Sequence, residues 1–229
     1  MNVPYFSGDT VVLVHGLWMN GLEFGVLGQR LRREHGFDVR TFSYPSMSGE
    51  AGQICRALGE YAAGLGDGRR VHFVGHSLGG AIVYRTLTEC GAGRFGGNAV
   101  LLGSPINGSR AARGASRWPV LRPLLGPHVL SELAEPRGRA WQGPNALGMI
   151  AGNLRMGTGQ FFAHFDEDND GTVSVSETRI AGLADHLVLP HSHMGMLFAA
   201  DVATQTAHFL RAGRFMPAPS PTTRGPGPG

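Results

Sequence analysis

A serine stands in the middle of a run whose residue types and spacing favour nucleophilic chemistry. The run Val71-His72-Phe73-Val74-Gly75-His76-Ser77-Leu78-Gly79-Gly80 has the pattern of an apolar strand, a Gly-x-Ser-x-Gly turn and the start of a helix. Gly75 and Gly79 flank the serine because side chains there would clash in so tight a turn. The turn lifts the hydroxyl clear of the sheet, beside the unpaired N–H groups that begin the helix. Ser77 is therefore the predicted nucleophile.

A serine hydroxyl needs a base to take its proton and an acid to orient that base. His193 follows the last predicted strand, in the segment Pro190-His191-Ser192-His193-Met194-Gly195. It therefore lies at the carboxyl edge of the predicted sheet, the edge that also carries Ser77 and at which active sites of open α/β sheets gather. His191 competes for the role of base. The Ser-His-x-Gly context and the greater distance from the strand favour His193.

Four aspartates between Ser77 and His193 are candidates for the orienting acid: Asp166, Asp168, Asp170 and Asp185. Asp185 precedes the last predicted strand, so the strand's length at roughly 3.3 Å per residue puts it about 17 Å from the catalytic edge. Asp170 begins the segment Asp170-Gly171-Thr172-Val173, after a predicted strand and a long loop. Asp170 is therefore predicted to hold the His193 ring and to stabilise its protonated form.

The segment His15-Gly16-Leu17-Trp18 follows the first predicted strand and offers N–H groups to a developing negative charge. Glycine there lets the backbone pass close to a substrate. The N–H groups of Leu17 and Leu78 are therefore predicted to form an oxyanion hole, in which each donor is typically worth about 2.7–4 kcal/mol in the transition state. A simple strand-ending turn is the alternative interpretation of His15-Gly16. His15 itself is expected to be structural, with its ring bonded to nearby backbone.

Apolar, β-branched runs alternate with helical patterns around these residues. The predicted strands are 11–14, 39–42, 71–74, 99–103, 147–151 and 186–190, and the predicted helices are 22–33, 51–65, 81–90 and 196–210. Fully apolar runs suit strands that are buried on both faces of a parallel sheet. The sequence therefore predicts an α/β fold with a central, mostly parallel sheet of about six strands flanked by helices.

The alternation of strands and helices breaks over residues 104–144, where arginines mix with prolines, glycines and apolar residues. We interpret this stretch as an insertion over the sheet, within one domain of residues 1–214. A Pro/Gly-rich tail, 215–229, follows and is predicted to be disordered. Five apolar side chains are candidates for lining a substrate pocket: Trp18, Trp118, Leu121, Leu124 and Trp141. Those within the insertion serve equally well as its own small core.

Taken in their order along the chain, the motifs resemble the landmarks of the α/β-hydrolase family, near its lipase and esterase branch. The resemblance spans roughly residues 10–211 and is carried by His15-Gly16, the Gly75–Gly80 motif, Gly103-Ser104-Pro105, Asp170-Gly171-Thr172-Val173 and His193-x-Gly195. It implies a compact member of the family in which residues 104–144 are a lid or cap. It also implies cleavage of carboxylic esters with apolar acyl chains, through an acyl-serine intermediate and without a cofactor. A thioesterase, an amidase or an acyltransferase would use the same triad.

A second motif overlaps the predicted acid. Residues 166–177 match the EF-hand calcium loop, with oxygen ligands at positions one, three, five and twelve and glycine at six. An EF-hand loop lies between two helices, whereas Met156-Gly157-Thr158-Gly159 interrupts a helix upstream and Ile180-Ala181-Gly182 leads quickly to a strand. A solvated acidic loop that presents Asp170, with no metal bound, is the favoured interpretation. A non-catalytic calcium-binding module is the alternative function.

Composition limits the classes of partner. All 20 Lys+Arg residues are arginine, the net charge is +3, and no basic tract is interleaved with aromatic residues, so binding to nucleic acid is not expected. No apolar stretch reaches the length of a membrane span, and the first residues lack the pattern of a secretion signal. The two cysteines are expected to be reduced thiols. We therefore expect a cytoplasmic protein whose partner is a small-molecule ester.

Overall fold

The computed structural model describes residues 8–66, 68–117, 133, 138–157 and 165–217. Its strands are β1 (Thr10–Val14), β2 (Asp38–Phe42), β3 (Val71–His76), β4 (Gly96–Leu102), β5 (Leu147–Gly152) and β6 (Asp185–Leu189). Its α-helices are α1 (Gly25–Arg33), α2 (Ala51–Gly64), α3 (Leu78–Cys90), α4 (Arg110–Ser116) and α5 (Ala200–Ala212). All of them except α4 lie close to the elements predicted from the sequence.

The six strands form one sheet in the order β2-β1-β3-β4-β5-β6, and every neighbouring pair is parallel. The predicted α/β class, with a parallel sheet of six strands, is thus confirmed. Every residue of β1 is buried, as expected for a central strand covered by helices on both faces. From β1 the chain runs to β2 on one side, and it then crosses over to β3 on the other side of β1. The loops after β1 and β3 therefore diverge at the carboxyl edge and leave a crevice there, where such sheets bind ligands.

Helices cover both faces of the sheet. On one face α2 and α3 contribute Leu58 and Ile82 to a buried core cluster, and on the other face α1 and α5 contribute Leu27 and Phe209 to a second one. Burial of each such side chain stabilises the fold by about 1.5–3 kcal/mol. The two filled layers hold the strand ends rigidly, and with them the loops that carry the candidate site. None of the helices in the described ranges is both long and apolar enough to cross a membrane.

Helix α4 begins within the stretch expected to be an insertion, where no helix was predicted from the sequence. Ser109 caps the helix, because its side-chain oxygen accepts the Ala112 N–H at 3.1 Å. Residues 118–132 and 134–137 lie outside the described residues, so the lid expected over 104–144 stays a prediction. Of the expected tail, 215–229, residues 215–217 are described: Phe215 packs in the core instead, and its N–H donates to Asp185 Oδ2 at 2.9 Å. Residues 218–229 lie outside the described part of the chain, so the disorder expected there stays a prediction.

Candidate active site

Ser77 lies at a strained junction between β3 and α3. Its backbone has φ 54° and ψ −122°, a conformation that residues with a side chain rarely adopt. A Cβ atom at Gly75 would lie 2.5 Å from the Gly80 Cα, and one at Gly79 would lie 2.1 Å from the Val14 carbonyl oxygen. Only glycine fits at either position, as the sequence indicated. Ser77 itself is partly exposed, so its hydroxyl is open to a substrate.

Asp170 and His193 form a buried, hydrogen-bonded pair. Asp170 Oδ2 lies 2.7 Å from His193 Nδ1, and the His193 N–H donates to the Asp170 carbonyl at 2.9 Å. Because a carboxylate only accepts, Nδ1 carries the ring proton and Nε2 presents a lone pair. A ring held in this way is suited to act as a general base. Within the described residues the Ser77 hydroxyl makes no hydrogen bond, and contacts of this kind often tighten only when a substrate binds.

The second carboxylate oxygen of Asp170 fixes the loop that carries it. Oδ1 accepts the N–H of Thr172 at 2.9 Å and the N–H of Val173 at 2.7 Å. Asp170 is 1% exposed, so water does not compete for either oxygen. One oxygen thus holds the turn while the other holds the histidine ring, and the carboxylate has little freedom to rotate away.

The other candidate acids lie elsewhere. Asp185 begins β6, at the opposite end of the strand from His193, and its Oδ2 accepts the Phe215 N–H at 2.9 Å. Asp166 and Asp168 are exposed. Of the four aspartates considered, the structure therefore brings Asp170 to the histidine.

The competing histidine, His191, is engaged with a different acid. Its Nε2 lies 2.8 Å and 2.9 Å from the two carboxylate oxygens of Asp201, at the start of α5. Three further histidines have structural partners: His72 with Asn98, His186 with Thr178, and His208 with Arg214. His164 lies outside the described residues. These contacts leave His193 as the histidine that is paired with Asp170.

His76 belongs to the site, and the sequence analysis did not assign it a role. Its ring is fully buried, its Nε2 lies 3.1 Å from the His193 carbonyl oxygen, and the two ring centroids are 4.6 Å apart. Burial and the neighbouring His193 hold the pKa of His76 well below its usual range. A neutral His76 therefore donates from Nε2 to the His193 backbone. The partners are 117 positions apart, so their contact leaves no local pattern in the sequence. The one feature that could have pointed to a role for His76 is its position directly before Ser77, at the end of a strand.

Two backbone N–H groups lie beside Ser77. Leu78 follows it as the first residue of α3, where helical N–H groups have no partner within the helix. Gly16 approaches from the loop after β1, since a Cβ atom there would lie 3.2 Å from the Ser77 Cβ. Leu17 follows Gly16. Within the described chain, neither the Leu17 N–H nor the Leu78 N–H has a hydrogen-bond partner. The pair is thus free to donate to an anion at Ser77.

His15 is structural, as the sequence analysis predicted. Its Nε2 accepts the Tyr44 N–H at 3.1 Å, and its Nδ1 lies 2.9 Å from the Gly16 carbonyl oxygen. The Tyr44 hydroxyl donates to the His15 carbonyl at 2.8 Å, and the two rings stack with centroids 4.3 Å apart. These contacts fix the loop that carries Gly16 and Leu17.

The structure separates the candidate pocket residues. Trp18, next to Leu17, is 59% exposed. Trp141 is buried; its indole N–H donates to the Asn145 carbonyl at 2.8 Å, and its ring centroid lies 6.0 Å from that of Tyr84. Tyr84 lies about 10 Å along α3 from Ser77. Trp141 is therefore a core residue that the structure does not bring to the site. Trp118, Leu121 and Leu124 lie outside the described residues.

The acidic loop, 166–177, differs from an EF-hand. Its fifth and twelfth positions are engaged within the protein: Asp170 pairs with His193, and the buried Glu177 accepts the Ser174 N–H at 2.8 Å and Arg110 Nε at 3.3 Å. A short 3-10 turn, Ser176–Thr178, stands where the second helix of an EF-hand would begin. Over the described ranges, no three His, Cys, Asp or Glu side chains are grouped as a metal site would need. The loop is better described as the support of Asp170.

The family model described as the alpha/beta hydrolase family matches residues 11–223. The chain belongs to the alpha/beta hydrolase family. Apart from Thr10, the match covers all six strands, and it includes the strained serine junction and the Asp170–His193 pair, so the resemblance inferred from the motifs is confirmed. Among curated proteins, nothing matches the chain.

Solved structures with the same fold include several hydrolases. The mature form of the lipase BlEst2 from Bacillus licheniformis has a TM-score of 0.71 at 20% identity, over 85% of this chain and 89% of that one. This chain spans 48% of the propeptide form of the same lipase. A metagenomic carboxyl esterase has a TM-score of 0.60 at 21% identity, over 83% of this chain and 66% of that one. The Vlm2 thioesterase domain has a TM-score of 0.55 at 15% identity, over 93% and 96%.

Proposed function

We propose that this alpha/beta hydrolase cleaves carboxylic esters, with Ser77 as nucleophile, His193 as general base and Asp170 as the acid that orients it. The observation that carries the proposal is the 2.7 Å contact between Asp170 Oδ2 and His193 Nδ1 beside a strained serine turn. A histidine held by a buried carboxylate at the carboxyl edge of a parallel sheet is the arrangement that activates a serine hydroxyl.

The first half of the proposed reaction transfers an acyl group to the protein. His193 Nε2 takes the Ser77 proton as Oγ attacks the ester carbonyl carbon, and the carbonyl π pair moves onto oxygen. Asp170 stays ionised and stabilises the imidazolium. When the tetrahedral intermediate collapses, the bond to the leaving alcohol breaks and His193 returns the proton to that alcohol. An acyl-serine ester and a neutral His193 result.

The second half releases the acid. Water attacks the acyl-serine carbonyl while His193 takes one of its protons, and collapse returns that proton to Ser77 Oγ. In both halves the charge on the carbonyl oxygen is stabilised by the N–H groups of Leu17 and Leu78, which are unpaired in the described chain. Two such donors are typically worth about 2.7–4 kcal/mol each.

The proposed substrate is a small carboxylic ester with an apolar acyl chain. Three apolar side chains in loops at the carboxyl edge of the sheet are exposed, which supports this choice: Trp18 at 59%, Met47 at 48% and Met194 at 39%. Large exposed apolar groups grouped around a site favour apolar ligands. Cys55 and Cys90 are not joined in a disulfide, in keeping with the cytoplasmic setting expected from the sequence.

Hydrolysis of p-nitrophenyl butyrate and p-nitrophenyl laurate by the wild type and by Ser77→Ala tests the proposal. Loss of the nucleophile is expected to lower kcat by about 10⁶-fold. Labelling by a serine-directed fluorophosphonate, with the modified residue located by mass spectrometry, checks the same residue without a choice of ester. Ser48→Ala serves as the matched control, because Ser48 is exposed and lies in a loop at the same edge.

The outcomes of this experiment separate the candidate functions. Turnover that depends on Ser77 and persists in EDTA supports the ester hydrolase, and equal turnover by Ser77→Ala overturns it. Turnover lost in EDTA would point instead to a metal on the acidic loop. A parallel assay with an acyl thioester tests the thioesterase alternative, which the Vlm2 thioesterase fold favours. Faster cleavage of the thioester than of the matched ester would replace the proposed substrate class.

A further inference from the structure

Trp18 has a backbone conformation that is rare for a residue with a large side chain. Its φ is 61°, and in the described part of the chain it shares a positive φ, among non-glycine residues, with Ser77 alone. A bulky residue in this left-handed region is strained. Trp18 is also 59% exposed, so it gains little burial in return. The strain persists because other contacts impose it.

The loop after β2 supplies those contacts. The hydroxyl of Ser46, which is 5% exposed, accepts the Trp18 N–H at 3.1 Å. Two positions earlier, Tyr44 donates its N–H to His15 Nε2 at 3.1 Å and its hydroxyl proton to the His15 carbonyl at 2.8 Å. The loop after β1 is therefore held by hydrogen bonds at His15 and at Trp18. Between these two anchors lie Gly16 and Leu17.

The two anchors determine how the peptide between them is oriented. The peptide that joins Leu17 to Trp18 is planar, so holding the Trp18 N–H on Ser46 also fixes the Leu17 carbonyl on the opposite side. The direction of the Leu17 N–H then depends on the φ and ψ of Leu17, which the anchored His15 carbonyl restricts from the other end. Gly16 is held against Ser77, because a Cβ atom added at Gly16 would lie 3.2 Å from the Ser77 Cβ. The Leu17 N–H, which has no partner within the described chain, thus lies beside the nucleophile with a fixed direction.

We propose that Ser46 is a positioning residue for the oxyanion hole, and that its hydroxyl, by holding the Trp18 N–H, keeps the Leu17 N–H directed at the carbonyl oxygen of a substrate on Ser77. The inference rests on the proposed function. Without the Ser46 hydroxyl, Trp18 relaxes toward a negative φ and the adjoining peptides rotate. The donor at Leu17 then no longer faces the charge that develops in the transition state, while the Asp170–His193 pair is unaffected.

Three variants of the full chain test this inference, with ester hydrolysis followed across pH. Ser46→Ala is expected to lower kcat by about 10- to 100-fold with KM within about twofold, because loss of one oxyanion donor costs about 10²–10³ in kcat. The pH profile should keep its shape, because Asp170 and His193 are untouched. Ser46→Thr retains the hydroxyl and should restore most of the rate. Ser48→Ala, two positions along the same loop, should behave as the wild type, and thermal melting checks that each variant folds.

Amide hydrogen exchange at Trp18 provides a readout that does not depend on turnover. The Trp18 N–H should be protected in the wild type and in Ser46→Thr, and should exchange faster in Ser46→Ala. Faster exchange with an unchanged kcat would overturn the inference while the proposed function stands. A raised KM or a shifted pH profile in Ser46→Ala, without rescue by threonine, would also overturn it. An inactive wild type whose Ser77 resists the fluorophosphonate would overturn the proposed function, and the inference with it.

Discussion

His76 Nε2 lies 3.1 Å from the backbone carbonyl oxygen of His193, with the two rings 4.6 Å apart. A carbonyl only accepts, so the His76 proton is on Nε2, and among the described residues the buried Nδ1 has no hydrogen-bond partner. The low pKa of His76, caused first by burial, keeps the ring neutral. The residue before the nucleophile thus holds the loop of the base, and couples the end of β3 to the segment after β6.

We expect His76→Phe to lower kcat by about tenfold or more, because it removes the donor to His193 while keeping a ring of similar size. His76→Gln carries a neutral N–H donor and should retain more of the rate. Steady-state kinetics with p-nitrophenyl butyrate and thermal melting would be measured for both. A phenylalanine variant as fast as the wild type would show that the contact does not position His193.

Asp170→Asn separates the two tasks of this carboxyl group. The amide oxygen can still accept the Thr172 and Val173 N–H groups, so the turn should survive. The amide nitrogen would face His193 Nδ1 and favour the wrong tautomer of the ring, at a cost of about 10⁴ in kcat. Asp168→Asn, an exposed change in the same loop, should alter kcat by less than about twofold. Equal losses in the two variants would mean that the loop, and not the carboxylate, matters.

The fold was predictable because its signals are local. The runs Val11–Val14 and Val71–Val74 are short and rich in valine, apolar except for His72, and both became central strands. The Gly-x-Ser-x-Gly turn was recognised by its place between a strand and a helix. Its two glycines are required because a Cβ atom at either position would clash with neighbouring backbone. Asp170 was selected over Asp185 by the position of each relative to a strand, which is also a local property.

The parts that sequence reasoning missed depend on distant partners. His76 meets a residue 117 positions away, and the Ser46 hydroxyl meets a backbone group 28 positions away, so neither contact leaves a periodic signal. Helix α4 is seven residues long and contains arginines and a glycine, so it has too little apolar periodicity to be recognised. Trp141 was considered for the pocket because of its type, whereas its neighbours Tyr84 and Asn145 place it in the core.

Gly103→Ala should impair the Asp170–His193 pair by crowding it. Gly103 has φ 54°, and a Cβ atom there would lie 3.0 Å from Asp170 Oδ2, 3.1 Å from His193 Nδ1 and 2.7 Å from Met196 Cε. We expect kcat to fall by about 10²-fold, the loss that displacement of catalytic groups by about 1 Å produces. Gly91→Ala is the matched control, since Gly91 also has a positive φ, 80°, but a Cβ atom there would meet no atom of the described residues within 4 Å. If both variants lose the same activity, backbone strain and not crowding is the cause.

His186 should make the protein less stable as the pH falls. Burial, followed by the nearby Arg179, lowers the pKa of His186 from 6.5 to about 4. The unfolded chain takes up a proton below pH 6.5 and the folded chain does so only near pH 4, so acid favours unfolding between these values. The loss approaches about 1 kcal/mol per pH unit in that window. His186→Gln should keep a hydrogen-bond partner for Thr178 but lose the pH-dependent part of the unfolding free energy that His186 contributes. Urea unfolding of the wild type and the variant at pH 7 and pH 5 would measure this difference. Identical losses of unfolding free energy in the two proteins would contradict the assignment, because the other buried histidines are common to both.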